Sequence, residues 1–375
     1  MSTGAHPLHR AASGEQPPLV SVVLPNYNDA SSLPVAISAL LAQDLPPDEI
    51  IVVDDCSSDE SVPLLGRIAP VLPTLRLLRN RANLGVVASL NRGLSEATGS
   101  YVYFGAADDW VFPGSFRRAV AALQAHPDLA FYCGDTVLYD AGTHRVIGTR
   151  PAARPRLSGG PVTSGAYTRL LRGSDNHLHT GSILFRRSLL GRGLDEELGS
   201  FADGFMARTL ALDGGFYYDA RIVAAWVVDG ASFSRRTATK LDLALRSLEL
   251  YPKRIAASPA FPSWYAELFE RRWRFTTTRL ALQNSPFDRQ LVAAMMGAGE
   301  PAIPRHVEHA IDRGSRLGNF HALAWLLCRL RPFSVAGIVR MLASQSLQLG
   351  IRFSARDAWP ELAPVVAAAI GSDPR

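Results

Sequence analysis

The stretch that decides the fold is "VSVVLPNYNDASSLPVAISALLAQDLPPDEIIVVDD", residues 20–55. It begins with a short apolar run rich in valine and continues with apolar residues at helical spacing. It ends with a second apolar run that is followed by two aspartates. A strand, a helix and a strand in this order predict two parallel strands joined by a crossover helix. Near-continuous apolar strands of this kind indicate a sheet that is covered on both faces.

The same alternation continues along the chain. "LRLLRN" (75–80) and "YVYFGAADD" (101–109) are further strand candidates, and "DESVPLLGRIA" (59–69) and "LGVVASLNRGLSEA" (84–97) have helical spacing. The predicted fold class is therefore α/β, with a Rossmann-like, doubly wound and mostly parallel sheet.

The second half of this region has a less regular pattern. "LAFYCGDTVLYD" (129–140) and "HRVIGTR" (144–150) are typical of strands, and "FYYDARIVAAWVVD" (216–229) predicts a pair of strands. Beyond Ser234 the pattern predicts helices that are broken at prolines, the first of them Pro252. The predicted domains are a disordered leader (1–18), an α/β domain (19–234, with two halves, 19–125 and 126–234) and a C-terminal all-helical domain (235–375).

Composition and charge narrow the class of protein. The chain has 375 residues, of which 47% are hydrophobic and 19% charged, enough to bury a large core in two domains. Residues 1–234 hold 19 Arg and no Lys against 23 Asp and Glu, whereas residues 235–375 hold 20 Lys and Arg against 11 acids. The basic part is consistent with a solvated helical surface or with a surface for an anionic partner.

No apolar run approaches the roughly 18 residues of a membrane span, and the start of the chain has no signal-peptide pattern, so a cytoplasmic protein is expected.

Acidic and polar clusters follow three of the predicted parallel strands. Asn26 to Asp29 follow the first strand, Asp54 and Asp55 the second, and Asp108 and Asp109 the fourth. Because the carboxyl ends of parallel strands form one edge of a sheet, these clusters are expected to converge there. Although each pair alone is also typical of an ordinary turn, gathered carboxylates indicate a divalent cation, Mn²⁺ or Mg²⁺. The glycine-rich phosphate loops of other nucleotide-binding proteins are absent from the sequence.

Four segments, in this order, resemble the family 2 glycosyltransferases of GT-A fold. They are "VSVVLPNYNDASSLPVAISALLAQ" (20–43), "EIIVVDDCSSDES" (49–61), "NLGVVASLNRGLSEATGSYVYFGAADDW" (83–110) and "GSILFRRSLLGRGLDEELGSFADGFMARTLALDGG" (181–215). The resemblance extends from about Leu19 to Ser234. It implies an inverting enzyme that moves a sugar from a nucleotide-diphosphate sugar to an acceptor hydroxyl.

The resemblance also implies a role for individual residues. Asp109 would bind the metal, Mn²⁺ or Mg²⁺, and Asp203 would be the base that deprotonates the acceptor. By its position alone, Asp203 is equally typical of an acid at a helix N-terminus. The residues expected to contact the nucleotide are Pro25, Asn26, Tyr27, Asp29, Asp55, Asn83, Gly85 and Asp108.

The sequence departs from the family pattern at several positions. Ala202 stands where many members have an acid before the base, and Leu90 stands where an Arg is common. In "WVVDGASFS" (226–234), Asp229 takes the place of a family histidine. Asp229 is therefore a candidate third metal ligand or, equally, part of a surface turn.

The expected partners follow from the same resemblance. The donor is a nucleotide-diphosphate sugar, with a UDP-sugar favoured, and the acceptor is a glycan or a lipid-linked molecule of bacterial surface polysaccharide or glycoconjugate synthesis. His177 and His179 are candidate acceptor contacts or exposed loop histidines. No nucleic-acid partner is expected, and the basic helical tail predicts a homodimer or a peripheral contact with the inner membrane face. The alternatives left open are a catalytically inactive nucleotide-sugar-binding module and a nucleotidyltransferase.

Overall fold

A computed structural model shows a single large mixed sheet with helices on both faces. The structure describes residues 19–140, 142–143, 145–153, 158–173, 178–228, 233–282, 288–297, 304, 307–309 and 316–335. The leader predicted for residues 1–18 lies outside this part of the chain. The strands are β1 (Val20–Asn26), β2 (Glu49–Asp54), β3 (Leu75–Arg79), β4 (Tyr101–Phe104), β5 (Trp110–Val111), β6 (Phe131–Asp140), β7 (Arg145–Arg150), β8 (Gly160–Val162), β9 (Ile183–Arg186) and β10 (Phe216–Val228).

The strand order is β3-β2-β1-β4-β9-β6-β10-β5, with β7 beside β6 and β8 beside β10. The first four strands of this order are parallel, which confirms the predicted doubly wound half. The neighbouring half is mixed, because β9 is antiparallel to both β4 and β6. The carboxyl ends of β1, β2 and β4 therefore lie on one edge of the sheet, as the sequence predicts.

Helices cover both faces of the sheet. They are α1 (Leu33–Leu41), α2 (Ser61–Ile68), α3 (Val86–Glu96), α4 (Ser115–Ala125), α5 (Ser164–Gly173) and α6 (Ala202–Asp213), followed by α7 (Phe233–Thr239), α8 (Leu241–Ala257), α9 (Tyr265–Leu282), α10 (Arg289–Met296) and α11 (Arg316–Leu330). Successive strand residues point to opposite faces, so Val22 packs in the core under α1 and α4 whereas Val23 packs in the core under α3 and α6. No helix in the described ranges is both long and apolar enough to span a membrane.

The C-terminal helices pack directly against the α/β domain near the start of α6. The Phe201 ring contacts the rings of Tyr251 on α8 and Phe269 on α9, with centroids 5.0 Å and 4.5 Å apart. These residues belong to one buried cluster with α6, while α8 to α11 also share a core of their own. The helical region therefore supports the start of α6, where Asp203 lies.

Two predictions about this region are wrong in detail. Within the segment predicted as a pair of strands, Phe216–Val228 form one strand, β10, because its pairing with β6 continues through irregularities between Asp219 and Ala224 and replaces the expected turn. Pro252 does not break the helical pattern, since α8 continues through it. The cost of the lost backbone hydrogen bond is offset by Tyr251 and Ile255, which α8 buries in the shared core.

Candidate functional site

The first part of the candidate site lies after β1 and β2. The Asn26 amide donates to Asp54 Oδ1 at 2.9 Å and to Ser57 Oγ at 3.1 Å. The register of the two strands places Asn26 opposite Asp54, which explains why their side chains meet. Asn26 is 1% exposed, and its Oδ1 has no hydrogen-bond partner among the described residues. This corner of the site, at the ends of β1 and β2, therefore offers a ligand a buried hydrogen-bond acceptor, Oδ1 of Asn26.

Asp55 shapes the loop that follows β3. Its Oδ1 accepts from the Asn80 amide at 2.7 Å and from the Leu84 backbone N–H at 2.8 Å, and its Oδ2 accepts from Gly85 N–H at 2.8 Å. Gly85 has φ +89°, a conformation that favours glycine. Asp55 and Gly85 are therefore brought together as predicted, with the carboxylate engaged in holding the loop. Asn83 is exposed on the same loop.

The other predicted nucleotide contacts surround this corner. Tyr27 is 49% exposed, and its backbone N–H donates to Asp29 Oδ2 at 3.4 Å. Pro25 is buried within β1. Asn28 adopts φ +60° so that its Oδ1 can accept from Ser58 N–H at 2.8 Å. An aspartate or asparagine tolerates this conformation better than a bulkier residue does.

The second part of the site is built around Asp109, which directly precedes β5. Because β5 pairs antiparallel with β10, Asp109 Oδ1 reaches the backbone N–H of Val227 at 2.9 Å. The Asp109 side chain is only 9% exposed. Burial and then the neighbouring charge of Asp108 raise the pKa of Asp109 well above its usual range, and the bond from Val227 only partly opposes this. A cation beside this carboxylate would relieve the cost of its buried charge.

His179 faces the same carboxylate. Its Nε2 lies 3.7 Å from Asp109 Oδ2, and its ring stacks on Trp226 with centroids 4.9 Å apart. Burial lowers the pKa of His179 to about 4, although the charge of Asp203 acts in the opposite direction, so the imidazole is neutral near pH 7. His179, a predicted acceptor contact, therefore lies beside the candidate metal ligand Asp109. His177, the other histidine predicted to contact the acceptor, lies outside the described residues.

Asp203 lies in the first turn of α6, as the sequence predicts. Its Oδ1 accepts from the backbone N–H of Gly204 at 2.6 Å, and its Oδ2 accepts a short hydrogen bond from the Thr180 hydroxyl. Tyr103 donates to the carbonyl of Gly181 at 2.8 Å and so anchors the segment that carries His179 and Thr180. Sequence reasoning missed Thr180 and Trp226, for which no motif gave a signal.

The acids of the edge form two groups and not one crowded cluster. Among the described residues, no three or more His, Cys, Asp or Glu side chains lie close enough to hold a metal ion together. Asp54 and Asp55 belong to the corner after β2, whereas Asp109 belongs with His179 on the other side. The described part of the chain therefore supplies few ligands to a cation, and substrate phosphates and water would complete the coordination of such a cation. Asp229, the candidate third ligand, lies outside the described residues.

Three comparisons relate the chain to known proteins. Residues 21–194 match the family described as "Glycosyl transferase family 2". The glycosyltransferase EpsE of Bacillus subtilis (strain 168) is 29% identical over 197 residues, which cover 52% of this chain and 70% of that protein. A "PGL/p-HBAD biosynthesis glycosyltransferase" of Mycobacterium bovis (strain BCG / Pasteur 1173P2) is 28% identical over 32% of this chain and 48% of that protein, so the chain spans about half of that relative.

Two solved structures share the fold. TarS 1–349 of S. aureus in complex with UDP-GlcNAc has a TM-score of 0.55 and 16% identity, over 88% of this chain and 92% of that one. The mannosyltransferase PcManGT of Pyrobaculum calidifontis, in complex with GDP-Man and Mn²⁺, has a TM-score of 0.54 and 20% identity, over 87% of each chain. The chain therefore has the GT-A fold, and its residues 21–194 match the family 2 glycosyltransferases.

Proposed function

We propose that the protein transfers a sugar from a nucleotide-diphosphate sugar to an acceptor hydroxyl, with inversion, in a metal-dependent reaction. The observation that carries this proposal is the pair His179–Thr180, which joins two acids: His179 faces Asp109 at 3.7 Å, and Thr180 binds Asp203. A candidate metal ligand and a candidate base therefore lie on the two sides of one short segment.

Each residue has a defined task in this proposal. Asp203 accepts the proton of the attacking hydroxyl, while Thr180 and the N–H of Gly204 hold its carboxylate in place. Asn26, with its buried free Oδ1, and the loop held by Asp55 receive the nucleotide. Asp109 would hold a divalent cation, which supplies Lewis-acid stabilisation of the charge that develops on the leaving diphosphate. One base and a direct displacement need no covalent intermediate.

The donor class is tested by a thermal-shift screen of UDP- and GDP-sugars, each with Mn²⁺ and with chelator. A donor at 100 times its Kd is expected to stabilise the protein by roughly 2.7 kcal/mol when Mn²⁺ is present. A UDP-sugar is our favoured donor. A screen without any metal-dependent shift would contradict the proposal.

An activity assay distinguishes an active enzyme from the alternative, an inactive module that only binds the donor. An active enzyme is expected to hydrolyse its donor slowly in water and to transfer the sugar faster when a hydroxyl acceptor is added. A module that binds the donor but does neither would support the alternative, for which Ala202 and Leu90 are the motivating departures.

We further propose a cytoplasmic enzyme of surface polysaccharide or glycoconjugate synthesis, whose acceptor is a glycan or a lipid-linked molecule. The name of the mycobacterial relative, a "PGL/p-HBAD biosynthesis glycosyltransferase", supports a biosynthetic role. The structure uses part of the basic tail internally: Arg272 is 3% exposed and donates to the carbonyl of Pro332, and Arg274 pairs with Glu270 at 2.9 Å. Fewer arginines are therefore available to a membrane than the sequence suggests.

The homodimer or membrane contact of the helical tail stays a prediction. We expect light scattering to show a dimer, or sedimentation with anionic liposomes at low salt to retain the protein in the pellet. A monomeric protein that does not sediment with the liposomes would contradict both the dimer and the membrane contact. The helical region would then serve only to pack against the rest of the chain.

A further inference from the structure

The ring of His179 is held in one orientation that no hydrogen bond among the described residues explains. It lies nearly parallel to the indole of Trp226, at an interplanar angle of 17°, and the side chain is 15% exposed. Its Nδ1 is buried and has no partner among the described residues. Stacking therefore fixes the ring, and its Nε2 is directed at the Asp109 carboxylate.

The separation of the two groups excludes a direct hydrogen bond. His179 Nε2 and Asp109 Oδ2 lie 3.7 Å apart, whereas an N–H···O bond has a distance of about 2.7–3.2 Å. Two donor atoms that share one cation, each at about 2.1 Å from it, lie roughly 3 to 4 Å apart. The observed distance fits the second arrangement.

The surrounding backbone leaves room for this pair. A Cβ at Gly181 would lie 2.9 Å from Cε1 of His179 and 3.6 Å from Oδ2 of Asp109. Asp109 Oδ1 is already engaged by the N–H of Val227, so Oδ2 is the oxygen left to face His179. The glycine, the bound Oδ1 and the stacked ring together orient one oxygen and one nitrogen toward each other.

We propose that His179 is a protein ligand of the metal that Asp109 holds, and that it makes the site prefer Mn²⁺ to Mg²⁺. This inference rests on the proposed metal-dependent function. Mg²⁺ favours oxygen ligands and dehydrates reluctantly, whereas Mn²⁺ is a first-row transition metal that also binds at sites with nitrogen donors. In this proposal His179 contributes to metal choice, a role different from the acceptor contact first considered for it.

The test measures metal binding by calorimetry in the presence of saturating UDP, or of GDP if the thermal-shift screen selects it. In His179→Gln we expect the Kd for Mn²⁺ to rise at least about 10-fold and the Kd for Mg²⁺ to change less than about 3-fold. The matched control is His126→Ala, because His126 also lies against an aromatic ring, that of Tyr217, but outside the site. An unchanged Mn²⁺ affinity, or an equal loss for both metals, would overturn the proposal.

A second measurement needs no variant. Electron spin echo spectroscopy of Mn²⁺ bound to the wild-type protein with the same nucleotide is expected to show a nitrogen coupling from a directly bound imidazole. A spectrum without it would overturn the role of His179 even if His179→Gln fails to fold. Failure of the proposed function is distinguishable, because Mn²⁺ would then bind neither the wild type nor its complex with nucleotide.

Discussion

Asp203→Asn is expected to lower kcat by about 10²- to 10⁴-fold, or about 3 to 5 kcal/mol of activation free energy, while the affinity for the donor barely changes. Asparagine keeps the shape of the side chain and its contact with Thr180 but cannot accept the acceptor proton. The measurement is steady-state kinetics with saturating acceptor, together with donor affinity by calorimetry.

The matched control for this variant is Asp213→Asn, the same substitution at the exposed last residue of the same helix. It should leave kcat unchanged. If Asp203→Asn keeps more than about a tenth of the wild-type kcat, Asp203 is not the base. The search would then move to neighbouring acids, of which Asp195 and Glu197 are paired with Arg254 in this structure.

Asp109→Asn is expected to abolish metal-dependent binding of the donor, with a loss of at least about 100-fold in affinity in Mn²⁺. The amide keeps an oxygen for the N–H of Val227 but is a poor ligand for a cation. Calorimetry of UDP or GDP binding, with Mn²⁺ and with excess chelator, measures the effect. Unchanged affinity in the variant would refute the metal role of Asp109.

The same variant is expected to be more stable than the wild type when no metal is present. Burial and Asp108 raise the pKa of Asp109, so its ionised form costs free energy in the folded state. That cost is absent below the unfolded-state pKa of 3.8, grows as the pH rises from there to the folded-state pKa, and is fully present above it. In chelator at pH 7, Asp109→Asn should therefore raise Tm by a few degrees.

The exposed Asp128 provides the control for this stability effect. Asp128→Asn should change neither Tm nor the response of Tm to Mn²⁺ and nucleotide. An Asp109→Asn variant that is less stable than the wild type in chelator would show that the carboxylate stabilises the fold, contrary to the direction of its pKa shift.

The sequence determined the parallel half of the sheet and the order of its helices. In that half each strand and helix is a continuous segment, and its hydrophobic period reports directly which face is buried. For the same reason the sequence correctly placed Asp203 at the start of a helix. It placed Asp109 at the end of a strand, whereas β4 ends at Phe104 and Asp109 directly precedes β5. These are local properties, which depend on residues close to each other in the chain.

Only the tertiary structure decided which side chains of the site meet. His179 reaches Asp109 because β9 is antiparallel to β4 and β10 brings Trp226 beneath the imidazole ring. The pairing of β10 with β5 supplies the backbone N–H that holds Asp109. These contacts join segments that are distant in sequence, and no periodicity within one segment encodes the register of its partner. Most of the chemical groups of the site could therefore be predicted from the sequence. The distances between these groups depend on strand pairing across the mixed half of the sheet.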